Sequence, residues 1–125
     1  MDSLIIQRTE ETPFVHLDQA GNFFQISGNS YPEDPTDFYK PVIRWLQEYT
    51  LSPNSKTDFI FYFVYFNSAS YKSLYEIVHL LEKIIKQNGV VKIIWQYKEG
   101  DVDVREIGEE LAEAVKIPFE IIPVL

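Results

Sequence analysis

Eight consecutive residues, Phe59 to Phe66, read Phe-Ile-Phe-Tyr-Phe-Val-Tyr-Phe, with no charge and no breaker among them. Aromatic and β-branched side chains suit a pleated strand, and so apolar a run suits one buried on both faces. The period then changes. Leu74, Ile77, Val78, Leu81, Ile84 and Ile85 recur at the three- and four-residue spacing of a helix with one buried face. Asn88-Gly89 stops that helix, and Val90 to Tyr97 supplies a second apolar strand. Apolar strands joined through an amphipathic helix imply a sheet that is at least partly parallel.

The rest of the chain fits around that unit. Thr12 to Leu17 and Asn22 to Ser27 flank the turn-rich Asp18-Gln19-Ala20-Gly21 and read as a hairpin, with Phe14, Phe24 and Ile26 expected in the core. Gly28 to Pro35, with one Gly and two Pro, reads as a break. Thr36 is the expected cap of a helix to about Tyr49, with Asp37 favoured in its first turn. Its inward stripe is Phe38, Val42, Trp45, Leu46 and Tyr49. Pro41 removes an N–H inside it, so a kink or a start near Lys40 is expected. After the 52–56 loop and the central unit, Asp101 or Asp103 caps a third helix to about Val115. Val104, Ile107, Leu111, Ala114 and Val115 are its expected buried stripe. Phe119 to Val124 forms the last strand. The expected order is ββαβαβαβ: an α/β fold, residues 1–125 as one domain, with about five strands in a mixed sheet and three helices mainly on one face.

Composition narrows the function. A hydrophobic content of 46% gives a 125-residue chain enough apolar surface for one core. There is no apolar run of about 18 residues to span a membrane, and no signal-peptide pattern at the start. With no cysteine there are no disulfides, thiol nucleophiles or thiolate metal sites. A net charge of −8 disfavours nucleic acid, which is bound through Lys and Arg. These features imply a soluble, cytoplasmic protein without cofactor or metal.

Enzymatic chemistry has little to stand on. His16 lies between Val15 and Leu17 in a strand, and His79 lies between Val78 and Leu80 on a helix; both read as surface or structural histidines. No phosphate-cradling glycine loop, nucleophile elbow or metal-ligand spacing occurs. Glu99, Asp101, Asp103, Glu106, Glu109, Glu110 and Glu113 read as a solvated helix face with carboxylates favoured in the first turn. A small-ligand pocket edged by aromatic strand ends and His79, or a homodimeric scaffold, are the alternatives to a modification-controlled binding protein. The stretch Tyr65-Phe66-Asn67-Ser68-Ala69-Ser70-Tyr71-Lys72 stands out, because it sets two hydroxyls at a strand-to-helix junction. Ser68 or Ser70 either caps the helix or accepts a phosphate that helix N–H groups stabilise.

Several segments taken in order resemble the SiaC family of bacterial regulatory phosphoproteins. They are Thr9-Glu10-Glu11-Thr12-Pro13, Gly28-Asn29-Ser30-Tyr31-Pro32-Glu33, Phe38-Tyr39-Lys40-Pro41, Trp45-Leu46-Gln47-Glu48-Tyr49, Tyr65 to Ser70, Ile94-Trp95-Gln96-Tyr97 and Ile117-Pro118-Phe119. The resemblance implies a small α/β domain similar to the STAS-type anti-sigma-factor antagonists. It implies no enzymatic activity. A hydroxyl after Tyr-Phe-Asn is phosphorylated by a cognate Ser/Thr kinase and restored by a PP2C-type phosphatase. The unphosphorylated form activates a diguanylate cyclase, raising cyclic-di-GMP and favouring biofilm. The matching position is Ser68, where the family more often has Thr followed by Ser-Ser, and Ser70 is the alternative acceptor. The expected partner surface is Asn67, Ser68, Ser70, Tyr71 and Lys72, with the loop from Asn29 to Glu33 beside it. Lys72 is placed to approach a phosphate on Ser68, and Tyr71 to serve as an exposed anchor.

Overall fold

A computed structural model describes residues 1–125. Six strands and three α-helices follow one another as β1 (Leu4–Ile6), β2 (Phe14–Asp18), β3 (Phe23–Ser30), α1 (Pro35–Tyr49), β4 (Lys56–Phe66), α2 (Tyr71–Lys86), β5 (Val90–Lys98), α3 (Val102–Ala114) and β6 (Phe119–Val124). The order differs from expectation by one strand at the front. Three residues are too few for β1 to show a period, yet Leu4, Ile5 and Ile6 pair with Leu17, His16 and Val15. Trp45 Nε1 fastens this strand from behind by donating to the Asp2 carbonyl at 2.8 Å. No helix is long and apolar enough to cross a membrane.

The strands lie side by side in chain order, β1 to β6. The first three pair antiparallel, and β3 to β6 pair parallel. Strand–helix–strand crossovers between parallel neighbours are right-handed. Here each crossover steps the same way along the sheet, so all three helices fall on one face. The order never reverses, so no crevice of the doubly wound kind forms. The opposite face carries no helical layer.

Burial alternates accordingly. In β4 only Thr57, Phe59, Phe61 and Phe63 are buried; Ile60 and Tyr62 are half-buried and Val64 is exposed. The aromatic run is therefore covered on one face, not two. Phe14, expected in the core, lies on the open side, and Val15 and Leu17 take the core positions of β2.

The helices begin and end for local reasons. The cap of α1 is Asp34 rather than Thr36: its carboxylate accepts from the Asp37 N–H at 3.1 Å, and Pro35 takes the first turn, where no N–H is needed. The helix thus starts well before Lys40, with Pro41 inside it and facing solvent. Tyr39, not Phe38, is the fully buried aromatic of its first half. At the far end Trp45 stacks on Tyr49, whose hydroxyl bonds Thr57 Oγ1 at 2.6 Å. After α2 the chain turns through Asn88 at φ 63°. Asp101 caps α3, accepting from the Val104 N–H at 3.1 Å. Its buried stripe is Val104, Gly108 and Leu111, while Ala114 is exposed. A Cβ on Gly108 would lie 2.4 Å from Trp95 Cδ1, so glycine is what lets α3 lie directly on that ring. Trp95 Nε1 then donates to the Val104 carbonyl at 2.9 Å.

Candidate functional site at the β4–α2 junction

The strand β3 keeps strict alternation to its end, with Phe24, Ile26, Gly28 and Ser30 all buried. Its partner β4 does not. Gly28 pairs with Phe63, but Asn29 pairs with Tyr65, so Val64 is an extra residue and forms a bulge. Gly28 sits opposite at φ 117°, a backbone conformation that glycine adopts without strain. Bulges re-aim the residues beyond them. Phe66 here turns back to the helix face and packs 5.2 Å from Phe63, while Tyr65 turns outward and is 53% exposed.

Beyond Phe66 the chain makes one 3₁₀ turn, Ser68–Ser70, before α2. The cap is neither serine. Asn67 Oδ1 accepts from the Ser70 N–H at 3.2 Å, and the Ser70 side chain makes no cap bond to α2. Ser70 is fully buried. Its hydroxyl belongs to a chain running from Tyr39 to Ser30 (2.6 Å), from Ser30 to Ser70 (3.1 Å) and from Ser70 to Asn67 Oδ1 (3.4 Å). Ser30 has one hydroxyl proton and gives it to Ser70, so Tyr39 donates to Ser30. Burial pushes the Tyr39 phenol far above its ordinary value. The Asn67 N–H donates to the Ser30 carbonyl at 3.0 Å, tying the end of β3 to the junction as the loop reading expected.

Ser68 is different in kind. It is exposed, and its hydroxyl joins none of these bonds. It lies on a cleft of about 410 Å³ between the junction and α3, lined also by Phe66, Tyr71, Ile107 and Glu110. The lining contains a carboxylate and no cation. Burial, then the Glu110 charge, raise the Tyr71 phenol above its ordinary value. An anion on Ser68 would meet the positive end of α2 behind it and Glu110 across the cleft.

The model of the SiaC family of regulatory phosphoproteins matches residues 6–124. The chain belongs to the SiaC family. An uncharacterised protein of Pseudomonas aeruginosa strain UCBPP-PA14 is 28% identical over 121 residues, covering 97% of this chain and 96% of its own. The crystal structure of apo-SiaC from Pseudomonas aeruginosa superposes with a TM-score of 0.88 at 28% identity, over 97% of this chain and 98% of that one. SiaC from the same bacterium, in complex with the diguanylate cyclase SiaD that it activates, superposes with a TM-score of 0.88 at 27% identity, over 97% and 99% of the two chains.

Set in this SiaC-family fold, the expected site residues separate. Asn67 and Ser70 hold the turn's shape, and Ser68 is presented at its surface. Tyr71, expected as an exposed anchor, is half-buried and packs against the core as a wall of the cleft. Lys72 is exposed and forms no ion pair. At this end of the sheet Tyr65 is exposed, and the half-buried Tyr31 meets it at right angles with centroids 5.0 Å apart. Sequence spacing missed Tyr65, because only the bulge at Val64 turns it outward. His79 stacks on Tyr75 at 5.8 Å, with Nδ1 3.8 Å from Glu82 Oε1, and does not line the cleft at the strand ends. His16 lies on the open sheet face, 4.9 Å from the Phe23 ring. Neither histidine joins the junction.

Proposed function

We propose that this protein is a phosphorylation-controlled activator of a diguanylate cyclase. In the unphosphorylated state it docks on the cyclase through the junction around Asn67, Ser68, Tyr71 and Lys72 and raises cyclic-di-GMP, favouring biofilm growth. A Ser/Thr kinase places phosphate on Ser68, and a PP2C-type phosphatase removes it. Residues 1–125 act as one unit in the cytoplasm. Family membership and the cyclase complex of the Pseudomonas relative support the partner. The observation that carries the residue assignment is the contrast between two hydroxyls two positions apart, Ser68 exposed and Ser70 sealed in the core.

The switch follows from charge and solvation. Phosphate adds roughly −1.5 to −2 charge and three strong acceptor oxygens. At the start of α2 the fold tolerates it, since helix N-termini favour anions. A partner seated over the cleft would have to desolvate that charge beside Glu110, with no cation in the lining to offset it. Binding is lost while the fold persists.

Calorimetric titration of the diguanylate cyclase from the same genome tests this. Protein carrying phosphoserine at 68, and the Ser68→Asp variant, should bind at least tenfold more weakly and fail to stimulate turnover, with unchanged melting temperature. Ser68→Ala should bind like the unmodified protein and resist the kinase. Equal binding by the phosphorylated and unmodified forms, or phosphate mapping to another residue, overturns the assignment.

A further inference from the structure

At the rim of the helix-free face the bulge builds a corner of two aromatic rings. Tyr31 and Tyr65 stand at 87° with centroids 5.0 Å apart, and with Asn29 they line a cleft of about 300 Å³. An edge-to-face pair leaves the π-face of its edge-on ring open, and such a face attracts cations. The segment from Thr9 to Thr12 is fastened beside it. The Tyr31 N–H donates to the Glu11 carbonyl at 2.9 Å, and Asn29 Nδ2 donates to the Glu10 carbonyl at 3.1 Å. Thr9 Oγ1 accepts from the Glu11 and Thr12 N–H groups at 3.2 and 3.0 Å, which stiffens the loop. Glu10 and Glu11 are thereby held near the corner, exposed and without an ion-pair partner. Burial first, and then these two carboxylates, keep the Tyr31 phenol above its ordinary value.

We propose that the Tyr31–Tyr65 corner is a clamp for an arginine side chain of the partner cyclase, with Glu10 and Glu11 supplying the counter-charge. This deepens the cyclase reading above and rests on it for the partner. A flat guanidinium can stack on one ring while its N–H groups reach a carboxylate, which a point-charged ammonium does less well. The corner also adjoins the switch. Tyr65 precedes Ser68 by three residues, so their Cα atoms lie within about 11 Å, with the corner at the rim of the helix-free face and the Ser68 cleft facing α3.

Two measurements test the clamp. The first uses acetyl-arginine amide as probe, titrated into labelled protein while the ring resonances of Tyr31 and Tyr65 are followed. Shifts should concentrate on those two rings, and should shrink at least threefold in the Glu10→Gln/Glu11→Gln variant. No ring shift at tens of millimolar probe overturns the clamp. The second is cyclase affinity. Tyr65→Leu should weaken binding about tenfold, while Tyr65→Phe, which keeps the π-face, should stay within threefold. The Glu10→Gln/Glu11→Gln variant should lower affinity about fivefold and flatten its salt dependence. Wild-type affinity in Tyr65→Leu, or equal losses in the Leu and Phe variants, also overturns it. If wild-type protein does not bind the cyclase yet the probe shifts appear, the cyclase reading fails and the cation clamp stands.

Discussion

Asn67 and Tyr39 never approach each other in sequence, yet between them they decide which serine faces solvent. Asn67 caps the turn from one side, and the Tyr39–Ser30–Ser70 hydroxyl chain holds it from the other. Replacing Asn67 with Ala removes the cap and one acceptor of the Ser70 proton. Chemical denaturation should show a loss of about 1 to 2 kcal/mol. Asn67→Asp keeps the acceptor and should recover most of it. Residues 67 to 70 alone offered two interchangeable hydroxyls. What separates them comes from positions 30 and 39, and no local pattern records that pairing.

The elements themselves were more legible. Asn88-Gly89, the helical stripe from Leu74 to Ile84 and the strand Phe119 to Val124 lie where periodicity and turn chemistry place them. Helix starts moved where two acceptable caps competed: Asp34 prevails over Thr36 because Pro35 suits the first turn. The run from Phe59 to Phe66 misled in another way, since apolar side chains on both faces do not show whether both faces are covered. Crossover direction settles that, and it belongs to the sheet order. Gly108 is the sharpest contact between elements. Gly108→Ala would set a methyl against the Trp95 indole, a fully buried ring that also bonds the Val104 carbonyl. Overpacking of this kind costs about 1 to 3 kcal/mol. The near-ultraviolet circular dichroism of Trp95 should change in the same variant.

For the whole molecule, the buried Tyr39 makes stability depend on alkaline pH. Its folded-state pKa is raised above the ordinary 10.0, chiefly by burial. Below pH about 10 both states hold the phenolic proton and the contribution is fully present. Above that the unfolded chain ionises first, so stability falls by about 1.4 kcal/mol per pH unit and is lost as pH rises through the folded value. Urea melts between pH 8 and 11.5 should show this decline, and Tyr39→Phe should make it shallower. An unchanged slope would mean that other tyrosines carry the whole effect.

Because sheet order equals chain order, the sheet can grow by addition as the chain leaves the ribosome, with no strand forced between two already paired. One interval is exposed. The most apolar strand, β4, can dock on β3 when it emerges, but its other edge waits for β5, 23 residues later. At roughly 5 to 20 residues per second that is about 1 to 5 seconds of unpaired aromatic edge. The segment synthesised in that interval is the serine turn and α2. The strand that leads into the serine turn is thus the nascent chain's most aggregation-prone edge until the turn and its helix are complete.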